Sequence, residues 1–262
     1  MPITGPDTVD YTDDLRLAHL LADDADSLTQ ARFKAMDLHV MSKPDLTPVS
    51  DADQAVEESI RRTLSRVRSR DAIVGEEQGT TGHGQRRWIV DPIDGTKNFV
   101  RGVPVWATLI ALAIEDEVVL SVVSAPQLQR RWWASKDGGA WTGRSLLKAQ
   151  QCHTSDVRRL EDASLSYSSL TGWEERGRLD DFLSLSRRCW RTRAYGDFWS
   201  YMMVAEGAVD AAAEPELELY DMAALVPIVT EAERTGVENL DTRHGGPGHG
   251  GDEAAPHHLN FR

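Results

Sequence analysis

The stretch that decides the fold is Trp88-Ile89-Val90-Asp91-Pro92-Ile93-Asp94-Gly95-Thr96-Lys97-Asn98-Phe99. Its first three residues are apolar and β-prone, which predicts the end of a buried strand. Pro92 lacks an N–H group and should stop the ladder, whereas Gly95 permits a tight turn. We therefore expect Asp91 and Asp94 to leave the sheet together, beside free backbone N–H groups.

Such a turn places two carboxylates and several N–H donors at one strand end. The carboxylates repel each other unless a cation lies between them, and the N–H groups attract an anion. A divalent metal ion that holds a phosphate satisfies both requirements. An ordinary Asp-rich turn explains Asp91 and Asp94 equally well, so the rest of the chain has to decide.

The composition excludes several classes of protein. A formal net charge of −13 over 262 residues has the wrong sign for a nucleic-acid scaffold. The chain has no run of about 18 apolar residues and no basic-then-apolar signal pattern, so we expect no membrane contact and a cytoplasmic location.

The string D-P-I-D-G-T at residues 91–96 resembles the signature of the inositol-monophosphatase family of Mg²⁺-dependent phosphatases. Two further motifs of that family stand in the same order, G-E-E at 75–77 and Y-D-M-A-A at 220–224. The resemblance covers about residues 40–232. It implies an α/β fold, namely the αβαβα layered sandwich of the inositol-monophosphatase/fructose-bisphosphatase type, and hydrolysis of a small phosphate monoester.

The resemblance also implies roles for individual residues. The metal ligands for two or three Mg²⁺ ions would be Glu76, Asp91, the carbonyl of Ile93, Asp94 and Asp221. The catalytic residues would be Thr96, Asp51 and Glu76. The substrate would contact Asp94, Gly95, Thr96, Gly196, Asp197, Glu214 and Asp221. For Asp221 alone, a simple N-cap of a helix at Met222–Glu233 is the better interpretation, and only the three motifs in order favour the metal role.

Asp51 comes from a second pattern. The segment 43–53 resembles the family's K…D-x-V-[ST]-x-[AT]-D loop, whose last Asp pairs with the Thr of D-G-T, and Asp51 is assigned to that position. Ser50 or Asp51 is also a plausible N-cap for a helix at 52–66.

The substrate is predicted from the acidic residues near the second motif. The stretch from Tyr195 through Asp221 looks most like the actinobacterial histidinol-phosphatase branch of the family. Histidinol phosphate carries an ammonium and an imidazole, for which Asp197 and Glu214 offer acceptors. The alternatives are an inositol-1-phosphatase or another polyol phosphatase, and a catalytically inactive relative that acts as a binding module.

The chain is expected to form two halves, 1–143 with the metal-binding signature and 144–262 completing the site. Its end is atypical from about residue 233, because the Gly- and His-rich stretch 244–258 lacks apolar periodicity. Family members are commonly dimers, so a homodimer is expected.

Overall fold

A computed structural model describes residues 10–43, 47–144 and 146–243, the side chains of 235–243 excepted. The helices are α1 Thr12–Arg32, α2 Asp51–Val67, α3 Thr96–Arg101, α4 Leu170–Glu175, α5 Leu179–Arg188, α6 Asp197–Ala205, α7 Leu219–Met222 and α8 Leu225–Arg243. The strands are β1 Val40–Ser42, β2 Pro48–Ser50, β3 Ala72–Gly75, β4 Gly79–Thr81, β5 Arg86–Asp94, β6 Ala107–Ile114, β7 Glu117–Ala125, β8 Arg130–Ser135, β9 Gly139–Gly143, β10 Gln150–Gln151, β11 Ser164–Tyr167, β12 Arg191–Arg193 and β13 Ala211–Ala213.

The larger sheet has eight strands in the order β10-β9-β8-β7-β6-β5-β3-β4. Its β3–β5 pair is parallel, and β5 through β9 form an antiparallel meander. The central strands β6 and β7 are buried along most of their length, which explains why they read as continuous apolar runs.

Helices cover both faces of this sheet. Leu21 of α1 and Ile60 of α2 pack with Trp88 of β5 on one face. Met202 of α6 and Ile228 of α8 belong to the core on the other face. Both cores are apolar and contiguous, so the sheet lies between two helical layers.

A smaller parallel sheet, in the order β12-β11-β13, forms the next layer. Ser166 of β11 is hydrogen-bonded to Ser200 of α6, with the two hydroxyl oxygens 2.7 Å apart. The next residue, Tyr167, contacts the ring of Phe182 in α5, with ring centroids 5.0 Å apart. Successive strand residues face opposite sides of a sheet, so α6 and α5 lie on opposite faces. The layers therefore run αβαβα, as predicted.

Pro92 was expected to stop the strand, but β5 continues past it to Asp94. Strand β5 pairs with β6 up to Asp91, shifts register, and resumes pairing at Asp94 opposite Ala107. Pairing with β3 stops at Val90. Pro92 therefore lies within a local register shift that interrupts the ladder with β6 between Asp91 and Asp94.

Two other expectations need correction. The last helix does not stop near residue 233 but continues to Arg243, and residues 244–262 lie outside the described part of the chain. The segment before α2, expected to be a loop, contains the short hairpin β1–β2. Within the described ranges, none of the helices has both the length and the apolarity to cross a bilayer.

The division into two halves at residue 143 stays a prediction. Strand β10, just beyond that point, pairs with β9 of the larger sheet, whereas residues 164–213 contain the whole smaller sheet.

Candidate active site

Strand register brings Glu76 beside Asp91. The parallel β3–β5 pair matches Gly75 with Val90, and the N–H of Glu76 donates to the Val90 carbonyl at 3.2 Å. Each chain then continues by one residue, so Glu76 and Asp91 emerge at neighbouring positions. The first glutamate of the G-E-E motif and the first aspartate of D-P-I-D-G-T therefore lie side by side at one edge of the sheet.

Three aspartates converge at this edge. Carboxylate oxygens of Asp91, Asp94 and Asp221 all lie within 4.8 Å of one another. Asp91 is only 2% exposed, and its Oδ1 has no hydrogen-bond partner among the described residues. Burial raises the pKa of the Asp91 carboxyl, and Glu76, Asp94 and Asp221 raise it further. Crowded carboxylates of this kind are stabilised by a cation.

The donor set fits a hard divalent cation. It consists of carboxylate oxygens without His or Cys, which suits Mg²⁺, Ca²⁺ or Mn²⁺ better than Zn²⁺. The unpartnered Asp91 Oδ1 supplies a buried oxygen that nothing else in the described chain satisfies. Lys43 compensates part of the nearby charge, since its Nζ lies 2.5 Å from Glu76 Oε1 and 2.7 Å from Glu77 Oε1.

Asp221 reaches the cluster from α7. It does not cap a helix at Met222–Glu233, the alternative interpretation. It is the third residue of α7, and its Oδ2 accepts the Glu218 N–H at 2.8 Å. Burial raises the pKa of Asp221 to about 6, although that hydrogen bond lowers it.

The Thr96 hydroxyl lies between two acceptors. Its Oγ1 is 2.9 Å from the Ile93 carbonyl oxygen and 3.3 Å from Asp53 Oδ1. A hydroxyl has a single proton, so it donates to one of them at a time. The Ile93 carbonyl keeps a second lone pair that can face the cluster.

The partner of Thr96 is Asp53, and the placement of Asp51 beside Thr96 is wrong. Asp51 instead forms a two-point ion pair with Arg32 of α1, at 2.7 and 3.3 Å. Residues two apart on a helix are about 200° apart around its axis, so Asp51 and Asp53 face opposite ways. The motif itself carried this signal, because Val49-Ser50-Asp51-Ala52-Asp53 fits V-[ST]-x-[AT]-D only when its last Asp is Asp53.

Asp53 is also anchored at the start of α2. Ser50 is the N-cap, as one of the two alternatives held, and Asp53 Oδ2 accepts both its backbone N–H at 2.8 Å and its hydroxyl at 2.6 Å. The capping box therefore fixes the Asp53 carboxylate toward Thr96.

Asp94 ties the signature turn to α6. Its Oδ2 accepts the Phe198 N–H at 2.8 Å, which satisfies a free donor at the start of that helix. Burial raises the pKa of Asp94, and Asp197 is the strongest of the neighbouring charges that raise it further.

Asp197 is the first residue of α6 and not its N-cap. Gly196 is the N-cap, and Asp197 has a φ of +48°. Its Oδ2 accepts from Asn98 Nδ2 at 3.1 Å, and a Cβ on Gly95 would lie 3.1 Å from the same oxygen. Gly95 itself has a φ of +83°, so glycine suits this turn for both reasons. The geometry directs the Asp197 carboxylate toward the D-G-T turn.

Glu214 is placed by the smaller sheet. Strands β11 and β13 are parallel with Tyr167 opposite Ala213, so Ser168 and Glu214 follow at the same edge. Gly196 and Asp197 follow β12 in the same sheet, and ligands commonly bind beyond the carboxyl ends of parallel strands. Glu214 Oε1 is buried without a hydrogen-bond partner among the described residues, which makes it a free acceptor.

Three carboxyl groups at or beside the site should lower the free energy of unfolding of the metal-free protein as the pH rises. Burial raises the pKa of Asp221 to about 6 and those of Glu214 and Glu77 to about 7. Unfolded carboxyls titrate near ~4. Above that value the folded protein binds more protons than the unfolded chain, so the free energy of unfolding decreases toward neutral pH.

We expect Tm in EDTA to drop between about pH 5 and about pH 7.5, measured by thermal unfolding. Buried His19 has the opposite effect on stability, because burial lowers its pKa to about 4 and it therefore favours folding as the pH rises. It is a single group, so the three carboxyls outweigh it. Saturating Mg²⁺ should remove much of the drop, because metal binding displaces protons from Asp221 and its neighbours. A metal-free Tm that rises across this window would contradict the prediction.

The fold and the carboxylate cluster are those of a phosphatase class, and comparison with known proteins agrees. A family model described as "Inositol monophosphatase family" matches residues 11–237, and the chain belongs to that family. It is a phosphatase that acts on small phosphorylated substrates.

Individual relatives are more specific. The histidinol-phosphatase of Streptomyces coelicolor is 64% identical, with 94% of this chain and 93% of the relative aligned. The histidinol-phosphatase of Mycobacterium tuberculosis is 54% identical over 89% of this chain and 91% of the relative. Among solved structures, an inositol monophosphatase from Zymomonas mobilis superimposes with a TM-score of 0.75 and 35% identity, covering 86% of this chain and 85% of the other.

Proposed function

We propose that this phosphatase hydrolyses L-histidinol phosphate to L-histidinol and phosphate, a step of histidine biosynthesis, with Mg²⁺ at the aspartate cluster. The observation that carries the substrate assignment is the pair Asp197 and Glu214, two half-buried carboxylates whose charges act on Asp94 of the cluster. A polyol needs no additional anionic acceptors, whereas an ammonium or an imidazolium does. The two histidinol-phosphatases at 64% and 54% identity support the same assignment.

Two or three Mg²⁺ ions would be held by oxygen atoms at the edge of the larger sheet: those of Glu76, Asp91, the Ile93 carbonyl, Asp94 and Asp221. Bound there, the ions supply Lewis-acid stabilisation of the phosphoryl oxygens and lower the pKa of water.

Thr96 and Asp53 handle the proton of the attacking water. The Thr96 hydroxyl orients the water and passes a proton toward Asp53, which burial keeps basic by raising its pKa. The water oxygen bonds to phosphorus and the bond from phosphorus to the ester oxygen breaks. The leaving alkoxide takes up a proton from solvent water, and Asp53 returns its proton to solvent after product release. The chain needs no covalent nucleophile for this displacement.

The Gly95–Thr96 turn would bind the phosphate. Thr96 is the first residue of α3, so its backbone N–H has no acceptor within the helix. Together with the Gly95 N–H it can donate to phosphoryl oxygens that gain charge during the reaction. Gly196 leaves the space beside this turn open, since nothing lies within 4 Å of where its Cβ would stand.

The test is a phosphate-release panel over histidinol phosphate, inositol 1-phosphate and fructose bisphosphate, with Mg²⁺ and with EDTA. Histidinol phosphate should give the highest kcat/KM, and EDTA should abolish it. A preference for inositol 1-phosphate would identify the protein as an inositol-1-phosphatase instead. No phosphate release from any of the three substrates, with or without Mg²⁺, would indicate an inactive relative that acts as a binding module. A cytoplasmic location and a homodimer stay part of the proposal, and sedimentation tests the latter.

The Asp197→Asn variant tests the substrate directly. Asparagine tolerates the positive φ and keeps the acceptor for Asn98, so shape is preserved. Loss of one hydrogen bond to a charged group costs about 1.5–3 kcal/mol, so kcat/KM for histidinol phosphate should fall about ten- to a hundredfold.

Hydrolysis of p-nitrophenyl phosphate, which carries no cation, should be nearly unchanged by Asp197→Asn. Equal losses on both substrates would mean that Asp197 acts through the pKa of Asp94, and no loss on either would remove it from the substrate pocket.

A further inference from the structure

A buried side chain of α2 is hydrogen-bonded to the turn that carries Glu76. Glu57 is fully buried, and its carboxylate lies under the Glu76–Gln78 turn between β3 and β4. Its Oε2 accepts the Glu77 N–H at 2.7 Å, and its Oε1 accepts the Gln78 N–H at 3.0 Å. Two charge-assisted bonds to successive backbone N–H groups leave the turn little conformational freedom.

Arg61, one helical turn further along α2, holds the carboxylate in place. Its Nε donates to Glu57 Oε1 at 2.7 Å, and its side chain is only 11% exposed. The rest of the guanidinium donates to the Thr81 hydroxyl at 2.9 Å and to the Gly79 carbonyl. The pair therefore contacts the turn and β4 together.

Gly75 shows how closely the carboxylate approaches the strand. A Cβ at Gly75 would lie 2.2 Å from Glu57 Oε1, so a side chain at this position would displace the Glu57 carboxylate. Gly75 immediately precedes Glu76, so the Glu57 carboxylate lies directly against the backbone that aims Glu76 at Asp91.

The cost of this arrangement indicates what it does. A buried ion pair commonly stabilises a fold no more than apolar residues of similar volume. Glu57 also stands four residues after Asp53, and both are fully buried, so they lie on one face of α2. One helix face thus places Asp53 against Thr96 and, through the turn, Glu76 beside Asp91.

We infer that Glu57 and Arg61 are positioning residues that hold the Glu76–Gln78 turn so that Glu76 faces the aspartate cluster. The inference rests on the proposed function, because Glu76 matters in this way only if the cluster binds Mg²⁺. Neither Glu57 nor Arg61 touches the cluster, so they act through the backbone alone.

The test compares Glu57→Gln with Glu58→Gln. Glu58 forms the same kind of i,i+4 pair with Arg62 on the same helix, but at the surface, so it is a matched control. Mg²⁺ alone is titrated into each protein, and the rise in Tm gives the half-saturating concentration. Loss of a residue that orients a metal ligand typically weakens metal binding about 10–100-fold, and we expect that increase for Glu57→Gln only.

Two further readouts separate positioning from general stability. Amide exchange of the 76–80 backbone should accelerate in Glu57→Gln, and phosphate release should approach the wild-type kcat at saturating Mg²⁺. If Glu57→Gln does not fold, Arg61→Gln, which retains the two backbone bonds of Glu57, should raise the half-saturating Mg²⁺ concentration in the same direction.

An unchanged Mg²⁺ half-saturation in the folded variant, with Tm lowered equally at every Mg²⁺ concentration, would overturn the inference. If Mg²⁺ does not stabilise even the wild-type protein, the proposed metal site fails, and the inference fails with it.

Discussion

The Asp94→Asn variant is expected to lose Mg²⁺-dependent phosphate release while keeping its fold. Asparagine retains an oxygen that can accept the Phe198 N–H, so the link to α6 survives. It removes one of the three converging carboxylates, and Lewis-acid stabilisation is worth several kcal/mol. Because each ~1.4 kcal/mol is tenfold in rate, kcat/KM should fall at least about 10²–10³-fold.

The same variant should alter stability in a diagnostic way. Asp94 is surrounded by Asp197, Asp221 and Glu214, whose charges raise its pKa beyond the effect of burial. Loss of its charge relieves this repulsion, so the metal-free protein should be at least as stable as wild type, with a smaller gain in Tm on adding Mg²⁺.

Asp116→Asn is the control for Asp94→Asn, since Asp116 is fully exposed and pairs with Arg87 at the surface. It should match wild type in both assays. Substantial Mg²⁺-dependent turnover in folded Asp94→Asn would remove the aspartate cluster from the mechanism.

The second large effect is expected at Asp53. If Asp53 receives the proton that Thr96 relays, Asp53→Asn should lower kcat by about 10²–10⁴-fold with a much smaller change in KM. Steady-state kinetics at saturating Mg²⁺ separates the two constants. The amide oxygen of the introduced asparagine can still accept from Ser50, so the capping box is weakened but not lost.

Asp51→Asn is the matched control, because it removes the same charge from the same helix turn. Its ion pair with Arg32 is partly exposed and screened by solvent, and it lies away from Thr96, so kcat should hardly change. A larger loss at Asp51 than at Asp53 would restore the original assignment of Asp51.

Thr96→Ala tests the other half of the relay. It should lower kcat more than it raises KM, and its effect should not add to that of Asp53→Asn, because residues of one proton path act as a unit. Additive effects would mean that the 3.3 Å contact between Thr96 and Asp53 has no part in catalysis.

Local sequence determined several of the elements and singled out the acidic motifs. The apolar runs of β6 and β7 and the capping box of α2 are short-range patterns, so their elements were predictable. Three motifs in family order were enough to predict the layered fold and the phosphatase class, which the family match and the structural neighbours confirm. The parallel pairing of β3 with β5, which sets Glu76 beside Asp91, was seen only in the structure.

Only the tertiary structure showed what each of two nearby aspartates contacts. The motif spacing already favours Asp53 as the partner of Thr96, whereas the ion pair of Asp51 with Arg32 joins residues 19 positions apart and has no local signal. The orientation of Asp197 depended likewise on Asn98, a partner 99 residues away along the chain. The sequence did not predict the contact of Glu57 with the Glu76 turn. A glutamate in a charged helix is expected to be solvent-exposed, and only the packing of α2 shows that Glu57 is buried. Residue type and spacing specify elements and motifs, but long-range packing selects which face of each element meets the site.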